Sequence, residues 1–382
     1  MYEYAVIGKG MIGSAAARYL SHWSDSVVLV GPDEPQGEWS AHEGLFASHY
    51  DQGRITRCLD GSLTWALWAT RSIAAYPEIE AKSGIQFHYR SGGVQVCMNS
   101  TDPASSLAKA EQNALYLGTS YEKYSSENFR ALYPQYYFDD GLIVLHETGE
   151  AGYINPRSLV AAQVKIAANQ GADVVCETIV DIDAGREGVA LTTDGGQTIH
   201  AKRVMVAAGA WTEFLTGAKL GLLPAPRTIV LARIDDAEAQ RLSNMPTIIL
   251  YEGIASPHIE GVYILPPIQY PDGNTYIKLG GSLLNIESPK NATELNQWFH
   301  GNGSEVEAQA LESELYRVVP GLRVESVHVK TCVVTKLANG NMPLIEPIIP
   351  GKVMVATAGL GAAAKSSNEI GRIAALQLQR MK

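Results

Sequence analysis

The chain opens on a short apolar run, Tyr4-Ala5-Val6-Ile7, followed by Gly8-Lys9-Gly10-Met11-Ile12-Gly13. A helical run from Ser14 to His22 comes next, and a second apolar run, Ser26 to Val30, closes the unit. Strand, glycine turn, helix and strand within about 30 residues predict the first half of a dinucleotide-binding unit. A polar, glycine-rich stretch then spans 31–53, and a helical pattern starts near Ser62. Strand-like runs at Ile85–Tyr89 and Gly93–Met98, separated by turn residues, predict antiparallel sheet. The run Asn155 to Gln170 predicts a helix with Pro156 in its first turn, where the missing N–H costs nothing. Asp173–Glu177, Val189–Thr192 and Val204–Val206 are further strand candidates. Pro224, Pro226, Pro266, Pro267 and Pro271 punctuate a second strand-rich region. The chain ends on a strand at Lys352–Thr357, the glycines Gly359 and Gly361, and a helix from about Ser367 to Arg380.

A strand-glycine-helix unit at each end implies a discontinuous domain. The fold class is α/β (mixed α+β): a Rossmann-type nucleotide domain from 1–84, 150–215 and 325–382, with an inserted antiparallel-sheet substrate domain from 85–149 and 216–324.

Composition narrows the function. The formal net charge is -10, which excludes a nucleic-acid partner because phosphate binding needs a basic surface. A local basic pocket for a small anion remains compatible with it. The four cysteines, Cys58, Cys97, Cys176 and Cys332, form neither a CxxC pair nor a metal-ligand spacing, so a reducing compartment and no metal are expected. The chain shows no basic-then-apolar leader and no apolar run of membrane-spanning length, so the expectation is a cytoplasmic protein with no membrane partner, as a monomer or small homo-oligomer.

The G-x-G-x-x-G spacing has a physical basis. Gly8 permits the tight strand-to-helix turn, Gly10 leaves room for a diphosphate, and Gly13 lets the helix pack on the sheet. The diphosphate then meets the free amides at the helix start, around Met11 and Ile12, where the dipole favours anions. The acid that usually binds ribose at the end of the second strand is replaced by Gly31. Asp33 and Glu34, about 20 residues after Gly13, are the candidates for that contact; each is equally readable as a solvated turn carboxylate.

Five further blocks carry a resemblance: Ser48-His49-Tyr50-Asp51-Gln52-Gly53-Arg54-Ile55-Thr56-Arg57, Val206-Ala207-Ala208-Gly209-Ala210-Trp211, Tyr276-Ile277-Lys278-Leu279-Gly280, Val329-Lys330-Thr331-Cys332-Val333-Val334-Thr335, and Ala358-Gly359-Leu360-Gly361 running on to Lys365. Together with the glycine turn they resemble the monomeric sarcosine oxidase and N-methyltryptophan oxidase group of the D-amino-acid-oxidase-like FAD-dependent oxidoreductases. The resemblance implies FAD as cofactor, with Ser48 and Gly209 near it and Arg54 beside the flavin. It implies that Arg57 and Lys365 bind a substrate carboxylate, which a guanidinium fork suits. It implies that Lys278 lies over one flavin face and assists oxygen reduction by its fixed charge. Cys332 matches the cysteine that covalent members link to the flavin, a bond a thiolate is competent to form. The glycines Gly359 and Gly361 would let backbone amides approach the flavin pyrimidine ring.

Two positions depart from the sarcosine-type pattern: Val334 and Ser282 stand where that group carries a tyrosine and a histidine near the substrate amine. The resemblance therefore implies an amino-acid-like substrate with a bulkier or more apolar amine side. His49 is a candidate acid–base residue and equally a structural loop histidine. The implied reaction passes a hydride from the amine's α-carbon to FAD, and then electrons to molecular oxygen, giving an imine and hydrogen peroxide. Three alternatives stay open: an FAD dehydrogenase serving an electron carrier, a non-catalytic flavin-binding protein, and a nicotinamide enzyme, which would explain neither Cys332 nor the C-terminal glycine turn.

Overall fold

The computed structural model describes residues 1–36, 44–251, 253–255, 259–283 and 287–381. Part of the glycine-rich stretch 31–53, residues 37–43, lies outside the described residues.

The first strand, Tyr2–Ile7, pairs in parallel with Val27–Val30 on one side and Thr198–Val206 on the other. The short strand Asp173–Val175 extends the sheet beyond Val27–Val30, and Val353–Thr357 extends it beyond Val204–Val206, both in parallel. Val27–Val30 and Val353–Thr357 are buried along their whole lengths and Tyr2–Ile7 from Tyr4 onward, as expected for the centre of a sheet covered on both faces. The strand Thr198–Val206 is long enough to serve two partners on one edge. Its first half pairs with Val189–Thr193 in an antiparallel meander, and its last residues pair with Val353–Thr357.

Two helices cover one face, Met11–Trp23 and Ala363–Arg380. They cross where a Cβ on Gly371 would lie 2.6 Å from Ala15 Cβ and 2.9 Å from Ile12 carbonyl oxygen, so only glycine permits the contact. The C-terminal helix begins at Ala363 rather than near Ser367, which puts Lys365 in its first turn. The helix Pro156–Asn169 agrees with its sequence signals: Asn155 caps it, with its side chain accepting from Ser158 N at 3.1 Å.

Among the described residues the second sheet has eight strands, antiparallel except where Thr247–Leu250 runs parallel to Gly93–Met98. Its core lies under the helix Glu305–Val318, around Val230, Ile264, Ile277, Leu311 and Leu315. Prolines inside strands are tolerated here for local reasons. Among the described residues, Pro224 and Pro226 lie on the part of Leu222–Ile234 paired with Ser326–Leu337 alone, since pairing to the strand Thr275–Leu283 starts at Ile229. Pro266 and Pro267 fall in the register shift between Leu265 and Ile268.

One stretch sits apart from the sequence partition. The strand Ser326–Leu337, grouped by sequence with the C-terminal nucleotide-domain segment, pairs antiparallel with Leu222–Ile234 from Arg233↔Ser326 to Leu222↔Leu337. It is the edge strand of the antiparallel sheet, so the chain changes sheets after Leu337, not near 325. Alternating apolar residues suit either sheet, and only the pairing partner decides between them.

Candidate active site

A cavity of about 630 Å³ runs from the glycine turn at Gly8–Ile12, past Ala207–Trp211, to Cys332–Thr335 and Ala358–Gly361. At one end Gly8 has φ +104, and a Cβ there would lie 2.4 Å from Ala207 carbonyl oxygen. A Cβ on Gly13 would lie 1.9 Å from Gly8 carbonyl oxygen, while Gly10 faces open space with only the His49 ring at 3.7 Å. The helix Met11–Trp23 has no side-chain cap and no acidic residue in its first turn. Its free amides therefore face the cavity, which is what a diphosphate requires.

The far end repeats the arrangement. The C-terminal helix also lacks a side-chain cap and a first-turn acid, and Gly359, Leu360, Gly361 and Ala363 line the cavity before it. Ala358 and Leu360 hold φ 56 and 55, a left-handed conformation that costs non-glycine residues about 1–3 kcal/mol each. The Leu360 amide donates to Thr335 carbonyl at 3.1 Å, tying this turn to the Cys332 strand. Two uncapped helix starts opening into one elongated, largely apolar cavity fit a dinucleotide whose second half is a flat ring that becomes anionic on reduction. Residues and group agree: FAD fits the site.

The adenosine end departs from the sequence candidates. Neither Asp33 nor Glu34 lines the cavity. Asp33 is ion-paired with Lys9 Nζ, and Glu34 is held by both arms of Arg157, at 2.6 Å each. At Gly31 a Cβ would lie 2.6 Å from Lys9 N, so no acidic side chain can occupy the usual ribose-binding position.

Cys332 lines the cavity and lies 3.6 Å from Arg54 Nη2. Its edge strand is covered rather than free: Trp298 Nε1 donates to Cys332 carbonyl at 2.9 Å, and Ser48 Oγ to Val333 carbonyl at 2.7 Å. Val334 lines the cavity, whereas Ser282 does not. Gly209 lines it too, three residues beyond the strand Thr198–Val206 at the start of the short helical turn Gly209–Trp211.

His49 stacks edge-on against Tyr50 at 4.6 Å, on the glycine-turn side. Burial, with the cations Arg157, Arg54 and Lys9 around it, pulls its pKa from 6.5 to about 3. A neutral imidazole of that weakness, beside Gly10, suits a cofactor contact rather than an acid–base role.

Two ionic clusters complete the site. In the first, Asp51 holds both Arg54 and Lys278. Its other oxygen accepts from Tyr270 hydroxyl and Gln52 N, each at 2.8 Å. Lys278 is fully buried; its Nζ also donates to Gly53 carbonyl at 2.7 Å and lies 5.4 Å from the Tyr263 ring centre. Burial and the Arg54 charge pull the Lys278 pKa well below that of a free lysine, and the Asp51 carboxylate opposes them.

In the second cluster Arg57 and Lys365, far apart in sequence, do meet, but across a third residue. Asp60 Oδ2 accepts from Lys365 Nζ at 2.6 Å and from Arg57 Nη2 at 3.3 Å. Asp60 therefore stands where the sequence reading puts a substrate carboxylate. Neither Arg57 nor Lys365 lines the cavity; Ala363 and Ala364, just before Lys365, do. Glu147 is buried alongside and accepts from the amides of Cys58 and Leu59 at 2.9 and 3.0 Å. Burial works against the Arg57 charge, but Tyr251, Asp60 and Glu147 outweigh it and its pKa lies above the ordinary value. Burial and the Arg57 charge bring Lys365 down to about 8.

Asp51, Asp60 and Glu147 carry no motif that the sequence reading used. The only signal was spacing: each aspartate lies three residues from an arginine. Among the described residues no group of histidine, cysteine, aspartate and glutamate could hold a metal ion, and no helix is long and apolar enough to cross a membrane.

Fold and cavity thus define a dinucleotide-binding oxidoreductase framework with an antiparallel-sheet domain over the ring end. The chain belongs to the family of FAD-dependent oxidoreductases termed DAO, which it matches over residues 3–377. It is similar to a monomeric sarcosine oxidase of Streptomyces avermitilis, 31% identical over 216 residues, 55% of this chain and 52% of that protein. An N-methyl-L-tryptophan oxidase of Yersinia pestis is 24% identical over 216 residues, 56% of this chain and 55% of that protein. The chain thus spans about half the length of the curated relatives it matches. Its fold is that of NikD, an amino acid oxidase essential for nikkomycin biosynthesis, with a TM-score of 0.77 at 18% identity over 99% of this chain and 93% of that one. These matches bear out the resemblance drawn from the sequence blocks.

Proposed function

We propose that the protein is an oxidase of a small amine or N-substituted amino acid, giving an imine and hydrogen peroxide. The observation that carries this reading is the cavity itself. One continuous space joins the anion-binding glycine turn to Cys332, Arg54 and the strained C-terminal turn, with the buried Lys278 one contact behind Arg54 through their shared Asp51. Bound FAD would take a hydride equivalent from the substrate's α-carbon and return the electrons to oxygen.

The chain's own residues do the rest by positioning and charge. The apolar walls exclude water, so the fixed cations act in a drier site than bulk solvent. Lys278 and Arg54 share one carboxylate, which leaves an excess positive charge to stabilise negative charge developing during oxygen reduction. Arg57 and Lys365, bridged by Asp60, orient the carboxyl-derived end of the substrate. An amine that binds deprotonated needs no protein base, consistent with the weakly basic His49. Cys332, at the cavity wall beside Arg54, is the proposed point of covalent attachment.

The visible spectrum of the purified protein before and after acid precipitation tests the cofactor reading. Yellow colour retained in the pellet supports a covalent flavin at Cys332, and Cys332→Ala should then release it. A colourless protein that cannot be reconstituted with FAD overturns the proposal. For the oxidase step, Lys278→Met should slow flavin reoxidation by oxygen at least tenfold, about 1.4 kcal/mol, with reduction by substrate preserved. Unchanged reoxidation would favour a dehydrogenase serving a carrier.

A further inference from the structure

We infer that Asp60 is a specificity-determining residue, an internal stand-in for the substrate carboxylate, so that the site accepts amines whose carboxylate is amidated, esterified or absent. The inference rests on the proposed function, in which Arg57 and Lys365 orient the substrate although neither lines the cavity.

Three observations lead there. First, a single oxygen of Asp60 engages both cations, at 2.6 and 3.3 Å, which is the bridging geometry an incoming carboxylate would need. Second, Asp60 is held from behind. Its other oxygen accepts from Ser62 N at 2.9 Å, at the start of the helix Leu63–Ser83, and its carbonyl accepts from Asn113 Nδ2 at 2.9 Å. Third, the charge is already balanced, because Glu147, 3% exposed, lies in the same cluster. Two cations and two carboxylates, with Lys365 and Glu147 buried and Arg57 and Asp60 only partly exposed, attract a further anion weakly, and that anion would also lose its hydration on entry. Among the described residues one buried Arg57 donor, Nε, has no partner, so the guanidinium retains capacity for a neutral acceptor such as an amide or ester carbonyl.

The chemistry predicts competition. A free carboxylate must displace Asp60 from Lys365 and Arg57, whereas a carboxamide or ester can take the spare Arg57 donor without breaking the bridge. Removing the Asp60 charge should therefore open the site to anions.

The test uses the flavin-loaded enzyme with acetate and acetamide as probes, followed by flavin absorbance and by thermal midpoint. Wild type should distinguish the two poorly. Asp60→Asn, which keeps the acceptor toward Ser62, should bind acetate about tenfold or more tightly than wild type, with acetamide unchanged. Adding Lys365→Met to that variant should abolish the gain. Should Asp60→Asn need an anion to fold, rescue by acetate and not by acetamide supports the inference equally. Asp60→Ser provides a second neutral side chain with the same expected order. The inference is overturned if wild type already prefers acetate strongly, if the folded variants bind acetate no tighter, or if both fail to fold regardless of acetate. Anaerobic flavin bleaching by amines reports on the functional reading separately. No bleaching by any amine, with the acetate pattern intact, would sink the oxidase reading and leave the anion site standing.

Discussion

The two ionic clusters are near mirror images in sequence and opposites in effect. Asp51 precedes Arg54 by three residues and Asp60 follows Arg57 by three, with the short strand Arg54–Thr56 between them. Each aspartate also takes one distant lysine, Lys278 from the antiparallel sheet and Lys365 from the C-terminal helix. The difference lies in what surrounds them. Around Asp51 the further partners are Tyr270 and a backbone amide, so the cluster keeps an excess positive charge, and its Arg54 lines the cavity. Around Asp60 a second carboxylate, Glu147, completes the balance, and neither cation lines the cavity. The same three residue types thus give a charged wall in one place and a neutral strut in the other.

The largest expected effect separates them by stability. Asp51→Ala strands a fully buried Lys278 and should cost about 3–5 kcal/mol, because a buried charge loses its carboxylate partner. Asp60→Ala should cost less, since Glu147 stays near Arg57 and Lys365. Urea unfolding of the two variants checks this, and equal losses would mean that Glu147 gives no compensation.

A pH series sharpens the contrast at Lys365. Its folded pKa of about 8 lies below the ordinary 10.5, so the folded state holds fewer protons than the unfolded state between those values. Stability should therefore rise as pH goes from about 8 to 10.5, and Lys365→Met should remove that rise. Acetate binding by Asp60→Asn should fall as pH rises through the folded pKa of Lys365, which loss of the Asp60 charge lowers further, because the ammonium it depends on is lost.

The smallest effect concerns His49, which retains some solvent contact. With its pKa lowered from 6.5 to about 3, it contributes stability above pH 6.5 that is lost as pH falls toward 3. His49→Asn should flatten this part of the acid limb in thermal denaturation. An unchanged limb would show that other groups set it.

Much of this protein is fixed locally, and that part was legible in the sequence. Gly8 and Gly13 announce the dinucleotide turn because each answers a steric demand within a few residues or across one strand pair. The helix at Pro156–Asn169 and the buried strands likewise follow from capping and periodicity. The family blocks singled out Arg54, Lys278 and Cys332; Arg54 and Cys332 line the cavity, while Lys278 meets Arg54 through Asp51 without lining it. Only the tertiary structure decided the rest. Which sheet receives Ser326–Leu337 depends on a pairing about a hundred residues away, and alternation alone does not encode it. Whether Gly31 admits an acidic side chain depends on the Lys9 backbone packed against it. Whether Arg57 and Lys365 wait for a substrate carboxylate or already hold one depends on Asp60. Charge is a property of residues, but its balance belongs to whatever folding buries together.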